Sequence, residues 1–167
     1  MVDTKELKAV YARNFIFGVE DSLVSTVGLL SGIASAGIDR RTILITGVIL
    51  LFVEALSMAG GSFLSEHSAQ EYMARDLPAK TSFMAGSIMF LSYFFAGFIP
   101  LGPYLFLRVE LSLVVSVLMS LAALFVLGII SARLLSLKVR DAAVRMFLVG
   151  GAATVLGVLV GQALRAV

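Results

Sequence analysis

Residues 111–132 read LSLVVSVLMSLAALFVLGIISA, a run of 22 residues without a charged side chain. A helix that crosses the hydrocarbon core of a bilayer needs about 20 predominantly apolar residues. This run is long enough and apolar enough to cross a membrane as one helix. It therefore indicates an integral membrane protein.

The composition of the whole chain points to the same class. Apolar residues make up 59% of the 167 residues and charged residues 14%, and the mean hydropathy is +1.01. Because a soluble domain carries about 25% charged residues, this chain has too few to cover a soluble fold. The lack of cysteine excludes a disulfide scaffold and a thiolate metal site. The net charge of +2 gives no sign of a nucleic-acid surface.

Four further runs of low charge resemble 111–132. We predict an all-α polytopic membrane protein, with residues 1–167 forming a single transmembrane domain. The five predicted transmembrane helices lie at about 14–37, 42–65, 81–99, 111–132 and 146–164. The first is expected to be a retained span and not a signal peptide, because Glu20 and Asp21 interrupt its apolar stretch.

The third run stays apolar up to Leu107, which is too long for one straight span. Pro100 and Pro103 explain the excess, because proline cannot donate to the helical hydrogen-bond ladder and restricts the residue before it. We predict that the helix ends at Pro100. Residues 101–109 then form an interfacial loop with Tyr104 at the level of the headgroups, or alternatively a re-entrant turn.

The distribution of basic residues predicts the orientation. With five spans, nine of the 13 Lys and Arg residues fall on the side of the N-terminus. Basic residues accumulate on the cytosolic side of membrane proteins. The N-terminus is therefore predicted to be cytosolic, in a multi-pass protein of the cell membrane if the source is prokaryotic.

Three acidic residues, Glu20, Asp21 and Glu54, lie inside predicted spans that contain no Lys or Arg. An ionised acid near the centre of a bilayer costs about 2.5–3.5 kcal/mol on translocon-insertion scales. Either the acids are protonated or a cation sits among them. A protein that alternates between these two states would exchange protons for cations.

Depth suggests which side chains meet. If the first two spans are antiparallel neighbours, Asp21 and Met58 lie at similar depth, and Glu54 lies one turn deeper on the Met58 face. Two carboxylates and a thioether favour a borderline metal such as Fe²⁺ over Ca²⁺ or Mg²⁺. The alternative is that Met58 only packs, and that Glu20, which points about 100° away from Asp21, faces an interface or the headgroups.

Small residues continue these faces. Ser25, Gly28 and Gly32 follow Asp21, and Gly61 and Ser65 follow Met58, which would leave room for water or an ion. The fifth span carries a similar stripe, formed by Ala153, Gly157 and Gly161. Such a stripe allows close helix approach, either between two copies or within one protomer. An odd number of spans cannot form two inverted halves, so two-fold symmetry would require a homodimer.

Two stretches resemble the vacuolar iron transporter family. FIFGVEDSLVSTVGLLSGIASAG, residues 15–37, is similar to its first helix, in which a Gly precedes an Asp by three residues, here Gly18 and Asp21. EALSMAGGSFLSEHSAQEY, residues 54–72, is similar to its second helix, with a Ser-Met core at Ser57 and Met58.

The resemblance implies a five-helix homodimer that exports cytosolic Fe²⁺, with Mn²⁺ as a second substrate, in exchange for protons. It implies that Asp21 and Met58 line the ion path near the dimer interface. The metal is the transported substrate, and no resident cofactor is expected. The expected partners are therefore divalent metal ions, protons, the lipid bilayer and a second copy of the chain.

The sequence departs from the family in two places. The family often has a Glu two turns before the Met, where this chain has Leu50, and we infer that Glu54 substitutes for it. Many members also insert a metal-gathering domain between the second and third spans, which here are joined by only about residues 66–80. The acidic and histidine side chains of this segment form either a reduced metal-capture patch or a solvated loop; they are Glu66, His67, Glu71 and Asp76.

Other functions fit the same spans. A passive divalent cation channel or a metal-responsive membrane regulator would carry the same acids without coupling to protons. A structural subunit would pair its acids with a basic span of another chain. An enzyme is not expected, because the sequence contains no P-loop, HExxH or GxSxG motif and no Ser-His-Asp spacing.

Overall fold

A computed structural model of the protein describes residues 4–73, 79–135 and 138–166. These residues form helices and no strand. The helices are α1 (Thr4–Ser35), α2 (Arg40–Tyr72), α3 (Ala79–Ala96), α4 (Phe98–Leu101), α5 (Pro103–Phe106), α6 (Val109–Leu134) and α7 (Val139–Arg165).

Five stretches of the described chain are long and apolar enough to cross a membrane. They are Leu7–Ser35, Arg40–Tyr72, Lys80–Leu101, Val109–Leu134 and Val139–Arg165. The prediction of an all-α fold with five transmembrane helices is confirmed. The helices α1 and α2 extend beyond the predicted spans, because charged residues end an apolar run without ending a helix that continues into water.

The turn between α1 and α2 is fixed by two residues. Gly37 has a φ of 81°, a left-handed backbone conformation that glycine adopts without steric cost. Asp39 is the N-cap of α2, and its carboxylate accepts hydrogen bonds from the backbone N–H groups of Arg41 and Thr42 at 2.9 and 3.1 Å. The side-chain and backbone hydrogen bonds from Thr42 hold the pKa of Asp39 below its usual value.

The region around the two prolines differs from the prediction. The regular helix ends at Ala96, before Pro100, and the chain continues as the short helices α4 and α5. Most of the predicted loop is helical, and the side chain of Tyr104, predicted at headgroup level, is fully buried inside the protein. It packs against Leu30 and Ile43 in the main hydrophobic cluster, so the short helices fold back onto the bundle.

Two serines of α6 donate hydrogen bonds to carbonyl groups at this break, of which the Pro103 carbonyl also accepts from the Leu107 backbone N–H at 2.9 Å. The Ser116 hydroxyl donates to the Pro100 carbonyl at 2.7 Å, and the Ser112 hydroxyl donates to the Pro103 carbonyl at 3.2 Å. Irregular backbone at membrane depth is tolerated only where it is buried in protein and its polar groups are paired. The two serines therefore make the break compatible with a bilayer.

Arg40, at the start of α2, satisfies two more carbonyl groups. Its Nε donates to the Tyr104 carbonyl at 2.6 Å, and its Nη2 donates to the Leu105 carbonyl. These bonds connect the end of α5 to the first turn of α2. These hydrogen bonds explain why Arg40, one of the few basic residues on the side predicted to lie opposite the N-terminus, contacts the proline-containing segment.

The small stripe on α7 packs within the protomer. A Cβ added at Gly157 would collide with the carbonyl oxygen of Gly28, and one added at Gly161 would collide with that of Gly32. The backbones of α1 and α7 are therefore in direct contact, as small-residue faces allow. The expectation that Gly28 and Gly32 leave room for an ion is wrong, because α7 fills that space.

This packing predicts unequal effects at two glycines of α7. We expect Gly161→Ala to lower the free energy of unfolding by about 1–3 kcal/mol, the usual cost of an extra methyl group in a packed interior. Gly151→Ala is the matched control, because a Cβ there meets nothing within 4 Å. Thermal unfolding in detergent, followed by circular dichroism, measures the difference. Equal stability of the two variants would contradict the described contact.

Candidate functional site

The helices α1 and α2 enclose a cleft of about 780 Å³. Its wall combines polar and small side chains of both helices with the Met58 thioether. Residues of this wall include Arg13, Asn14, Glu20, Ser57, Met58 and Gly61. Serine and glycine on α2 have too little volume to fill the space beside α1, so a polar groove remains within an otherwise apolar bundle.

The two adjacent acids of α1 face different surroundings. Glu20 lines the cleft together with Met58, whereas Asp21 is not part of the cleft wall. Asp21 instead lies within range of the charge of Glu54 on α2. The acids thus have two sets of neighbours: Glu20 shares the cleft wall with Met58, and Asp21 lies within range of the charge of Glu54.

A buried tyrosine accompanies the acid pair. The Tyr93 side chain on α3 is fully buried, and its phenol lies within range of the charges of Asp21 and Glu54. The Ser25 hydroxyl and the Tyr93 hydroxyl share a hydrogen bond of 2.7 Å, and the Ser22 hydroxyl donates to the Tyr93 carbonyl at 2.6 Å. Two serines of α1 thus hold Tyr93 beside the acids.

Sequence reasoning missed Tyr93. It was read as part of the apolar third run, although a buried tyrosine normally requires a hydrogen-bond partner for its hydroxyl. A phenol in an uncharged span was the available signal, and Ser25 on the Asp21 face was its partner. Only the packing of α1 against α3 identifies the two as a pair.

Glu20 lies within range of the charge of Arg145, a residue just outside the predicted boundary of the fifth span. The charge of Arg145 on α7 acts on Glu20, as does that of Asp21. Arg145 was placed outside the fifth predicted span, but α7 begins earlier, at Val139, and carries it. The expectation that no basic residue of the spans is available is therefore wrong for Glu20.

The acids do not gather into a larger cluster. Within residues 4–73, 79–135 and 138–166, no group of three or more His, Asp and Glu side chains could hold a metal ion. The described part of one protomer therefore supplies a pair of carboxylates and, separately, a cleft with one carboxylate and one thioether. This is fewer than the four to eight ligands that divalent metals commonly take, roughly four for Zn²⁺ and six or more for Ca²⁺.

The residues predicted to form a capture patch engage in separate contacts. The carboxylate of Glu66 is paired with Arg13 of α1, with Nη2 and Oε2 3.2 Å apart. His67 lies with its Nε2 3.5 Å from Oε1 of Glu71 and stacks on the ring of Phe63. The structure thus brings His67 close to Glu71 and places Glu66 in a separate contact with Arg13, so the three do not form one patch. Asp76, the fourth residue of the predicted patch, lies outside the described residues.

Known proteins are similar to this chain over the segments that contain these helices. The sequence matches the VIT family over residues 12–84 and 78–162. Vacuolar iron transporter homolog 4 of Arabidopsis thaliana is 41% identical over 61 residues, covering 36% of this chain and 31% of the plant protein. Vacuolar iron transporter homolog 1 of Oryza sativa subsp. japonica is 33% identical over 70 residues, covering 42% and 30%.

The matched segments span about a third of the length of these two relatives. The family match is broader, because its two segments together cover most of this chain and include α1, α2 and the later spans. With five helices able to cross a membrane, the protein is a multi-pass integral membrane protein. The chain belongs to the VIT family.

Proposed function

We propose that this chain transports divalent metal ions across a membrane, with Fe²⁺ as the main substrate and Mn²⁺ as a second one. Both relatives are named as vacuolar iron transporter homologs. The observation that carries the proposal is that Asp21 on α1 and Glu54 on α2, both inside predicted spans, lie within range of each other's charge. In the described part of the chain, neither acid has a salt bridge.

The acid pair supports exchange of metal for protons. Two carboxylates that lie close together in a membrane cannot both remain charged at low cost. A divalent cation neutralises the pair, and protons neutralise it equally well in the absence of metal. Metal and protons therefore compete for the same oxygen atoms, which is the basic requirement of an exchanger.

The cleft supports a route to that pair. Glu20 and Met58 line it, and the adjacent acid, Asp21, lies within range of the charge of Glu54. A thioether is a soft ligand, and beside carboxylates it favours Fe²⁺ over hard cations of the Ca²⁺ type. The cleft reaches Arg13 and Asn14 near the start of α1, which is the cytosolic end in the predicted orientation. We infer export of metal from the cytosol.

A homodimer would complete the site. The described part of one protomer offers fewer clustered ligands than a metal requires, and α2 carries an open face beside the cleft. A Cβ added at Gly60 or Gly61 would meet nothing within 4 Å, and Ser57 and Ser65 are exposed. Small and polar residues facing lipid are unusual, because such residues normally form helix–helix interfaces.

Removing one acid of the pair tests the proposed site. We expect Asp21→Ala and Asp21→Asn to reduce metal-dependent proton movement in proteoliposomes to background, because the remaining carboxylate can neither neutralise a divalent cation nor exchange a second proton. Glu110→Gln is the control, since Glu110 is an exposed acid in the first turn of α6. Normal transport by a folded Asp21 variant would contradict the assignment of Asp21 to the transport site.

Collapsing the proton gradient separates exchange from passive flow. We expect uptake of Fe²⁺ and Mn²⁺ to fall to the rate set by the metal gradient alone when an ionophore abolishes the pH difference. A passive channel would retain its full metal flux under these conditions. A metal-responsive regulator would show no flux in either condition. Parallel measurements with Co²⁺ and Zn²⁺ at a fixed pH difference establish the order of substrates.

Cross-linking tests the dimer. The chain contains no cysteine, so a single introduced thiol reports on one contact. We expect Gly60→Cys to form a disulfide-linked dimer under mild oxidation in membranes, because this position lies on the open face of α2. Gly151→Cys is the matched control, as its position on α7 is equally open but lies on another helix. Cross-linking of both variants to the same extent would contradict a specific interface.

A further inference from the structure

Two polar links join α1 to α2 at one end of the cleft. Arg13 Nη2 lies 3.2 Å from Glu66 Oε2, and the Ser62 hydroxyl donates to the Asn14 side-chain carbonyl at 2.5 Å. Over the described residues, these are the side-chain hydrogen bonds that connect the two helices. Neighbouring residues of α1 thus contact positions one turn apart on α2, and the links lie side by side.

The two members of the ion pair are unequally buried. The Glu66 side chain is 10% exposed, whereas that of Arg13 is 68% exposed. The other carboxylate oxygen of Glu66 accepts a hydrogen bond of 3.4 Å from Gln70, which is itself buried. Glu66 is therefore held in place by its own helix, while Arg13 can leave the pair and enter water at low cost.

The departure of Arg13 would leave Glu66 as a buried carboxylate without a countercharge, which is strongly unfavourable. Another cation must then take its place. Arg13 also forms part of the cleft wall, so the guanidinium stands where a cation would enter, and its charge repels that cation. The same ion pair thus links the helices and controls the charge at the mouth of the cleft.

We propose that the Arg13–Glu66 pair is a clasp that an incoming divalent cation opens. The cation binds the Glu66 carboxylate in place of the guanidinium, Arg13 moves into water, and the mouth of the cleft widens. The proposal deepens the proposed function and rests on it for the identity of the cation. Glu66 is then a positioning residue that acts through Arg13 of the cleft wall, and the acid pair deeper in the bundle binds the transported metal.

The accessibility of the cleft can be measured without transport. Ser57 lines the cleft and lies nine positions before Glu66 on α2, or roughly 13 Å deeper at 1.5 Å per residue. In Ser57→Cys, the introduced thiol is the only one in the chain. The rate at which a membrane-impermeant maleimide labels it, in proteoliposomes with and without MnCl₂, reports how open the mouth is.

Ser57 is exposed in a single protomer, and lipid and the proposed second copy cover it in the membrane. We therefore expect slow labelling of Ser57→Cys without metal and several-fold faster labelling with MnCl₂. Adding Arg13→Gln should make labelling fast in both conditions. Adding Glu66→Gln should abolish the response to MnCl₂, because the cation has lost its carboxylate. Arg13→Lys, which retains the charge, should preserve the slow rate, and the exchanged pair Arg13→Glu with Glu66→Arg should restore it. Rescue by charge exchange identifies the ion pair itself, and the response to MnCl₂ separates the clasp from a purely structural contact, which metal would not open.

The clasp is overturned if Arg13→Gln labels at the parent rate, or if the response to MnCl₂ persists with Glu66→Gln. Adding Asp21→Asn to Ser57→Cys separates this result from the proposed function, because it should abolish flux and leave the labelling response unchanged. A labelling response in a protein without any metal flux would refute transport and retain the clasp. Metal flux that depends on Asp21, together with labelling that Arg13→Gln leaves at the parent rate, would support transport and refute the clasp.

Discussion

The hydrocarbon core of a bilayer offers no hydrogen-bond partners, so every polar group placed there must find its partner inside the protein. This constraint accounts for the least regular part of the fold. Pro100 and Pro103 interrupt the third span, and the carbonyl groups around them are satisfied by Ser112, Ser116 and Arg40. Without these donors, a break at this position would be incompatible with a membrane protein.

The same constraint applies to the acidic side chains inside the spans. A backbone carbonyl can be satisfied permanently by a serine, but a carboxylate needs a positive charge or a proton. Glu66 has Arg13, and Glu20 has the more distant charge of Arg145. Asp21 and Glu54 have mainly each other and the phenol of Tyr93. In the proposed function, a metal ion or protons supply the positive charge that this pair lacks.

The sequence alone predicted what depends on local composition. Apolar runs located the five spans, and the absence of Lys and Arg from the predicted spans singled out Glu20, Asp21 and Glu54. Contacts between distant elements could not be predicted in this way. The burial of Tyr104 and the pairing of Arg13 with Glu66 depend on how whole helices pack, and apolar runs of similar hydropathy contain no record of that packing.

The contact between α1 and α7 has a consequence for how the protein is made. Gly28 and Gly32 find their neighbours only on α7, which is the last of these helices to be synthesised. Until then, the glycine groove of α1 remains without its packing partner, although α3 already covers Ser22 and Ser25. Among these helices, a late one therefore docks onto an early one, and the insertion of α7 completes the packing of α1.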